Sequence, residues 1–255
     1  MKRHECLAIV TGGASGLGEA TVRNILAGGG KAVIIDQSIQ KGQQLQEELG
    51  KNALFVQADV TKEEEIQSSL NQAVDFMNHI NTVVNCAGIA IAEKVIGRNG
   101  VHDLSLFSKV IHVNLVGTFN VIRLASEKMR NNEANEQNEK GIIINTASVA
   151  AFEGQIGQAA YSASKSGVVG MTLPIARELA RYGIRVMTIA PGLFHTPMFD
   201  SLPEEARESL GKMVPFPSRL GFPNEYAKLV QSILENPMLN GETIRLDGAI
   251  RMQPK

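Results

Sequence analysis

A chain of 255 residues, 44% hydrophobic and 20% charged, is long enough to bury one large α/β core and has the balance of a soluble globular protein rather than a disordered or fibrous one. Its net charge of −1 excludes a whole-molecule field that would draw it to nucleic acid or to an anionic membrane. The two cysteines, Cys6 and Cys86, exclude a disulfide framework, and the five histidines show no metal-ligand spacing.

The opening "MKRHEC" carries neither an apolar signal core nor an Arg/Ser-rich leader, and no stretch is expected to reach the roughly 18 apolar residues of a membrane span. The expectation is a cytoplasmic protein, or a mitochondrial-matrix one if a leader was removed. Seven short apolar runs follow as strand candidates: "CLAIVTG", "KAVIIDQ", "ALFVQADV", "NTVVNCAG", "GIIINTAS", "IRVMTIAPG" and "ETIRLDG". Continuous rather than alternating apolar character places them in a sheet covered on both faces, with Cys6 and Cys86 as reduced thiols in buried strands. Helical patterns separate them, among them "TKEEEIQSSLNQAVDFMN" and "LSLFSKVIHVNLVGTFNVIRLASEKMR". In the first, Thr61 is the expected N-cap, with Glu64 at capping-box spacing. The alternation predicts an α/β fold over residues 1–255, a single Rossmann-type doubly wound parallel sheet of about seven strands with helices on both faces. Two segments break the rhythm. The polar stretch 131–140 is expected as a solvated loop. The Pro-punctuated stretch 194–221, with a short amphipathic helix inside it, is expected as a substrate loop or lid.

The first strand runs into "TGGASGLG", residues 11–18, which opens a helix. Glycines there permit a tight turn and let backbone N–H groups approach a pyrophosphate, so Gly12, Ser15, Gly16, Leu17 and Gly18 are candidate cofactor contacts. Asp36 ends the second strand, where a carboxylate can accept both hydroxyls of an adenosine ribose and repel a 2′-phosphate. Ala14, Gln37 and Ser38 stand where a cation would welcome that phosphate, which points to NAD over NADP. Asp59 and Val60 end the third strand and can frame an adenine. Asn85, Cys86, Ala87 and Gly88 end the fourth, with small side chains that let a ligand pass close to the backbone.

Tyr161 and Lys165 in "YSASK" share one helix face at i, i+4 spacing, with only small residues between them. A phenol titrates near 10, too high for a base at neutral pH, and a neighbouring ammonium lowers that value. The phenolate can then take the proton of a substrate alcohol while hydride leaves for a nicotinamide. Ser148, ending the fifth strand, would hold the substrate oxygen.

With these motifs the chain resembles the short-chain dehydrogenase/reductases: T-G-x-x-x-G-x-G as "TGGASGLG", N-x-A-G as "NCAG", the serine as Ser148, Y-x-x-x-K as "YSASK". The resemblance implies a role for Asn114 in a proton relay through water to the lysine. It also implies that "APGLFHTP" meets the nicotinamide end through Pro191, Gly192, Phe194 and Thr196. Closer still, "VPFPSRLG", "LNGETIRLDGAIRMQP" and the stretch around Ser148 and Tyr161 look like the type II 3-hydroxyacyl-CoA dehydrogenases, also called 17β-hydroxysteroid dehydrogenase type 10. That likeness implies an NAD-dependent homotetramer oxidising 3-hydroxyacyl-CoA thioesters and some steroid alcohols. Animal relatives also serve as a subunit of a tRNA-processing complex, for which this near-neutral sequence offers no basic tail.

Substrate is expected between residues 89–103 and the lid 194–216. Lys94, Arg98 and His102 are either CoA-phosphate contacts or ordinary loop charges, and His195 is either a solvated loop residue or such a contact. Met198, Phe199, Leu202 and Leu210 are either an apolar lid face or helix packing. Val113, Val116, Phe119 and Val168 are candidate subunit contacts or intrachain core.

Overall fold

The structure, a computed structural model, describes residues 1–98, 100–197 and 204–254. Seven parallel strands form its sheet: β1 (Leu7–Thr11), β2 (Lys31–Asp36), β3 (Ala53–Gln57), β4 (Thr82–Asn85), β7 (Gly141–Thr146), β8 (Ile184–Pro191) and β9 (Thr243–Leu246). Their spatial order is β3-β2-β1-β4-β7-β8-β9. The order reverses direction at β1, as in a doubly wound sheet. A separate two-stranded hairpin, β5 (Ile96–Gly97) and β6 (Gly100–Val101), lies between β4 and the next helix.

Alternate residues of each strand feed two cores. Ile9, Val33, Val83, Ile143 and Val186 face α3 (Glu63–Met77), α5 (Thr118–Met129) and α6 (Ala159–Leu179). Val10, Ile34, Val84, Ile144 and Met187 face α1 (Gly16–Ala27), α2 (Ile39–Leu49) and the last helix, Pro223–Glu235. Burial on both sides explains why the strands read as unbroken apolar runs. Because every strand points the same way, the turns after β1, β2, β3, β4, β7 and β8 all open on one edge of the sheet.

Several local expectations are corrected. Thr61 is not the cap of α3; Lys62 occupies that position. The Thr61 hydroxyl and N–H instead donate to Asp59 Oδ1 at 2.8 and 2.9 Å, an Asx-turn that outcompetes the capping box. The helix over 104–129 is one run in three parts: α4 (Leu104–Ile111), a π-helical stretch His112–Gly117, and α5. It is long and apolar enough in composition to cross a membrane, although broken by polar residues. Val110 is buried, and Val121, Ile122, Ala125 and Met129 are packed into the core on one face of the sheet, as in a core helix. The stretch 194–221 contains its expected helix, α7 (Glu204–Lys212), so the final helix Pro223–Glu235 is α8. Leu210 packs on Leu193, Val214, Leu220 and Ile250, while Met198, Phe199 and Leu202 lie outside the described residues.

The loop 131–140 is not solvated throughout. Glu139 is buried and accepts from Arg185 Nε at 2.8 Å. The same guanidinium donates to the carbonyls of Ile233, Leu234, Asn236 and Leu239, closing the C-terminal end of α8. Removing one charge of a buried pair strands the other. Glu139→Gln should therefore lower the unfolding free energy by about 3 kcal/mol, read as a lower urea midpoint at unchanged slope.

Candidate active site

A cavity of about 860 Å³ runs along the carboxyl edge of the sheet. At the β2–β3 side it is lined by Asp36, Gln37, Ala58, Asp59 and Val60. Its middle is bounded by Gly12, Ser15, Gly16, Leu17 and Gly18 after β1, and by Cys86, Ala87 and Gly88 after β4. At the β7–β8 side lie Ser148, Tyr161, Lys165, Pro191, Gly192, Phe194 and Thr196. Residues as far apart in sequence as Gly12 and Pro197 thus share one wall because their strands are parallel neighbours.

The glycine turn fits a dinucleotide. Gly12 sits at φ +61°, and an added Cβ would strike the backbone of Cys86 and Ala87 at 2.8 Å. The first bond of α1 runs from Glu19 N–H to the Ser15 carbonyl, 3.1 Å, which leaves the N–H groups of Gly16, Leu17 and Gly18 without helical acceptors. Ser15 holds the N-cap position yet makes no capping bond, so its hydroxyl is available too. These are the donors a pyrophosphate uses at a helix N-terminus. Asp36 is fixed by accepting from Ala14 N–H at 3.1 Å and Ser38 N–H at 3.0 Å, and its carboxylate borders the cavity.

Two of the expected residues do not line the cavity. Asn85 is turned into the sheet, where its amide donates to Asn145 Oδ1 at 2.9 Å and accepts from the Thr11 hydroxyl at 3.4 Å. That hydroxyl also accepts from Ala87 N–H, so the ladder Thr11–Asn85–Asn145 fastens three strand ends behind the wall. Asn114, wholly buried in the π-helical stretch, accepts from Ile89 N–H at 2.8 Å and donates to the Ile89 carbonyl at 2.9 Å and to Ser164 Oγ at 3.0 Å. Ser164 in turn donates to the Tyr161 carbonyl at 2.7 Å. Asn114 therefore joins the wall at Ile89 to the helix that carries Tyr161. A π-helical turn at such a point is a common way to aim a residue that a regular helix would misplace.

Lys165 is 5% exposed, with its Nζ donating to the Thr146 carbonyl at 2.8 Å. Burial pushes its pKa down to about 8. The Tyr161 phenol is pushed above its usual value by burial, with Ser148 pulling it back. The expectation that Lys165 lowers the phenol is not met in this arrangement. The ammonium faces Thr146 and stands 5.8 Å from the Tyr161 ring centre, and desolvation outweighs it. Ser148 Oγ also accepts from Ala150 N–H at 3.1 Å, which fixes the serine at the start of a short 3₁₀ turn.

The remaining expectations divide. Lys94 and Arg98 are exposed and do not line the cavity. His102 is engaged by Glu93, with Nδ1 3.1 Å from its carbonyl and Nε2 3.6 Å from its carboxylate. His195 is exposed and stacks on Phe222 at 5.3 Å. Val168 is core, and Val113 lines the cavity, which leaves Val116 and Phe119 exposed on the long helix. Cys86 is a cavity residue rather than a core thiol. Ile89, Ala90 and Pro197, inside the segments expected to meet substrate and cofactor, line the cavity, whereas sequence reasoning missed Lys109 and Thr146 on its wall and Tyr226 behind it. Only Thr146, two residues before Ser148 on the same strand, carried a positional signal.

The segment that follows Ser148 is tied to β9 and to residues beyond it. Arg245 on β9 grips the Glu153 carboxylate at 2.7 and 3.0 Å, and Ile156 N–H donates to the Pro254 carbonyl at 3.0 Å.

Residues 6–207 match the family described as short chain dehydrogenase. The chain belongs to that family. It is 57% identical over 97% of its length to the 3-hydroxyacyl-CoA dehydrogenase type-2 of Rattus norvegicus, of which it covers 96%. It is 54% identical to that of Drosophila melanogaster, covering 97% of this chain and 98% of the relative. The crystal structure of 3-hydroxyacyl-CoA dehydrogenase type-2 from Mycobacterium avium superposes with a TM-score of 0.94 at 44% identity, covering 97% of this chain and 96% of that one. The short-chain dehydrogenase is accordingly an oxidoreductase that works with a nicotinamide cofactor.

Lys165 supplies a stability test. Its folded pKa of about 8 lies below the ordinary lysine value, so between the two the unfolded chain binds more protons and stability rises with pH. Below about 8 the buried ammonium carries its full cost. Lys165→Met should raise the unfolding free energy at neutral pH by on the order of 2 kcal/mol, with the gain shrinking as pH climbs from there toward the unfolded value. Denaturant titrations at a series of pH values would show this; a gain that does not change with pH would contradict it.

Proposed function

We propose that this short-chain dehydrogenase oxidises the 3-hydroxyl of 3-hydroxyacyl-CoA thioesters with NAD and reduces 3-ketoacyl-CoA in reverse. The observation that carries the reading is one cavity holding Ser148, Tyr161 and Lys165 on one side and Asp36 on the other. The names of the most similar relatives support the acyl-CoA substrate.

In this reading Ser148 Oγ donates to the substrate oxygen and sets it beside Tyr161. The Tyr161 phenolate accepts the hydroxyl proton in oxidation, and the phenol returns it in reduction. The Lys165 ammonium, held on the Thr146 carbonyl 5.8 Å from the Tyr161 ring centre, supports the phenolate form through its charge. Asn114 holds Ile89 and, through Ser164, the first turn of α6, so the wall facing the substrate keeps its spacing. Gly12, Ser15, Gly16, Leu17 and Gly18 would bind the pyrophosphate, Asp36 the adenosine ribose, and Asp59 and Val60 the adenine edge. Ala87, Gly88, Pro191, Gly192, Phe194 and Thr196 would flank the nicotinamide end. Bound NAD supplies a hydride acceptor. Asp36 favours NAD, since a 2′-phosphate beside its carboxylate would be repelled. The segment 194–221 is proposed as the substrate lid.

Turnover of acetoacetyl-CoA with NADH tests the reading. NADPH should be a poor substitute, by roughly two orders of magnitude in kcat/KM. Tyr161→Phe should keep NADH affinity and lose at least about a thousandfold in kcat. Near wild-type turnover in that variant would remove Tyr161 from its role, and no acetoacetyl-CoA reduction by the wild type would remove the substrate. A homotetramer is proposed as well, with the half-exposed Val116 (42%) and Phe119 (48%) at a subunit contact. Val116→Glu should then reduce the sedimenting mass, and an unchanged mass would exclude that face.

A further inference from the structure

Two cavity-wall residues, Thr146 and Cys86, and Tyr226 behind them close a ring of polar side chains from separate elements. The Thr146 hydroxyl at the end of β7 donates to Cys86 Sγ at 3.6 Å. The Cys86 thiol donates to the Tyr226 hydroxyl at 3.8 Å. The Tyr226 and Thr146 hydroxyls are 2.7 Å apart. With the first two directions set, the phenol donates to Thr146, and each group then gives one bond and receives one. Tyr226 is fully buried on α8, across the sheet from α6, and does not line the cavity. Its burial keeps it a neutral phenol, with its pKa pushed well up and only partly offset by the bond with Thr146.

Thr146 serves two masters. Its hydroxyl belongs to the ring, and its main-chain carbonyl is the acceptor for Lys165 Nζ at 2.8 Å. We propose that Tyr226 is a positioning residue for the Lys165 ammonium: its phenol pins the end of β7 so that the Thr146 carbonyl stays beneath Nζ. The inference rests on the reading of Lys165 as part of the reacting site. The ionisable groups facing Lys165 are Tyr161 on its own helix, Cys86 at the end of β4 and, one bond further, Tyr226 on α8; the π-helical stretch contributes the neutral Asn114. A carbonyl bonded to the ammonium favours the charged form. Loosening Thr146 therefore weakens the charge that supports the Tyr161 phenolate, and the pH at which oxidation begins moves upward.

The test uses Tyr226→Phe, Thr146→Val and the double variant in the full chain. In protein labelled with ¹³C at lysine Cε, with Lys165 assigned through Lys165→Met, the Lys165 midpoint should fall by about half a pH unit in Tyr226→Phe. At neutral pH, kcat for 3-hydroxybutyryl-CoA oxidation should fall about three- to tenfold and recover as pH rises, with KM unchanged. Thr146→Val should act in the same direction, and the double variant should be no worse than the worse single one. If Tyr226→Phe does not fold, Thr146→Val carries the same readouts, and a wild-type Lys165 midpoint in it overturns the proposal. A loss of equal size at every pH, with Lys165 unmoved, would reduce Tyr226 to a packing residue. If Tyr161→Phe turns over like the wild type, the functional reading fails, yet the Lys165 titration still decides the role of Tyr226.

Discussion

Parallel pairing of seven strands is the constraint on which everything else rests. A parallel sheet cannot be closed by hairpins; each strand must be followed by a crossover, and every crossover begins at the same edge. The side chains that end β1, β2, β3, β4, β7 and β8 are thereby delivered to one line, whatever their separation in sequence. The two apolar cores on either side hold that line rigid. The Thr11–Asn85–Asn145 ladder does the same from within, crossing three strands with polar bonds where apolar packing gives way to the cavity.

The chemistry at that edge is built from groups that dislike their surroundings. An ammonium 5% exposed and a desolvated phenol are both driven toward neutrality. What keeps them in place is a set of short bonds from neutral neighbours: the Thr146 carbonyl for Lys165, Ser148 for Tyr161, and Ser164 with Asn114 for the helix that bears both. None of these neighbours carries charge, so the site can hold an ammonium without neutralising it by a carboxylate. Placing the charge so close to neutral titration leaves it responsive to small changes in its acceptors, which a fully paired lysine would not be.

Much of this was readable in the residues. The seven strands appear where apolar β-branched runs stand, because burial on both faces leaves no polar alternation to blur them. Gly12, Asp36 and Ser148 reach the cavity because strand ends in a parallel sheet have only one place to go, and Tyr161 follows on the first turn of α6. What stayed hidden depends on side-chain geometry across the chain. Tyr226 carries no motif; its hydroxyl finds Thr146 only after α8 docks. Glu139 sat in a polar stretch whose exposure seemed plain, and Arg185 drew it inward. Thr61 matched the capping pattern, yet Asp59 was two residues away and took its hydroxyl first. The pKa of Tyr161 was misjudged for a similar reason: i, i+4 spacing puts Lys165 on the right face but does not say which acceptor its four-carbon stem will choose.

The clamp of β9 and the tail on the segment after Ser148 bears on the order in which the molecule can be made. Glu153 is joined to Arg245 across 92 positions, and Gln155 to Gln253 across 98. The dinucleotide half, by contrast, closes through β1, β2 and β3, neighbours in sequence as well as in space. Chain emerging from a ribosome can therefore assemble the glycine turn and Asp36 early, from contacts of short loop closure. The segment after Ser148 must wait until β9 and the residues up to Pro254 have been made. Synthesis would pass through a stage that has a nucleotide cradle but an unfinished place for the alcohol.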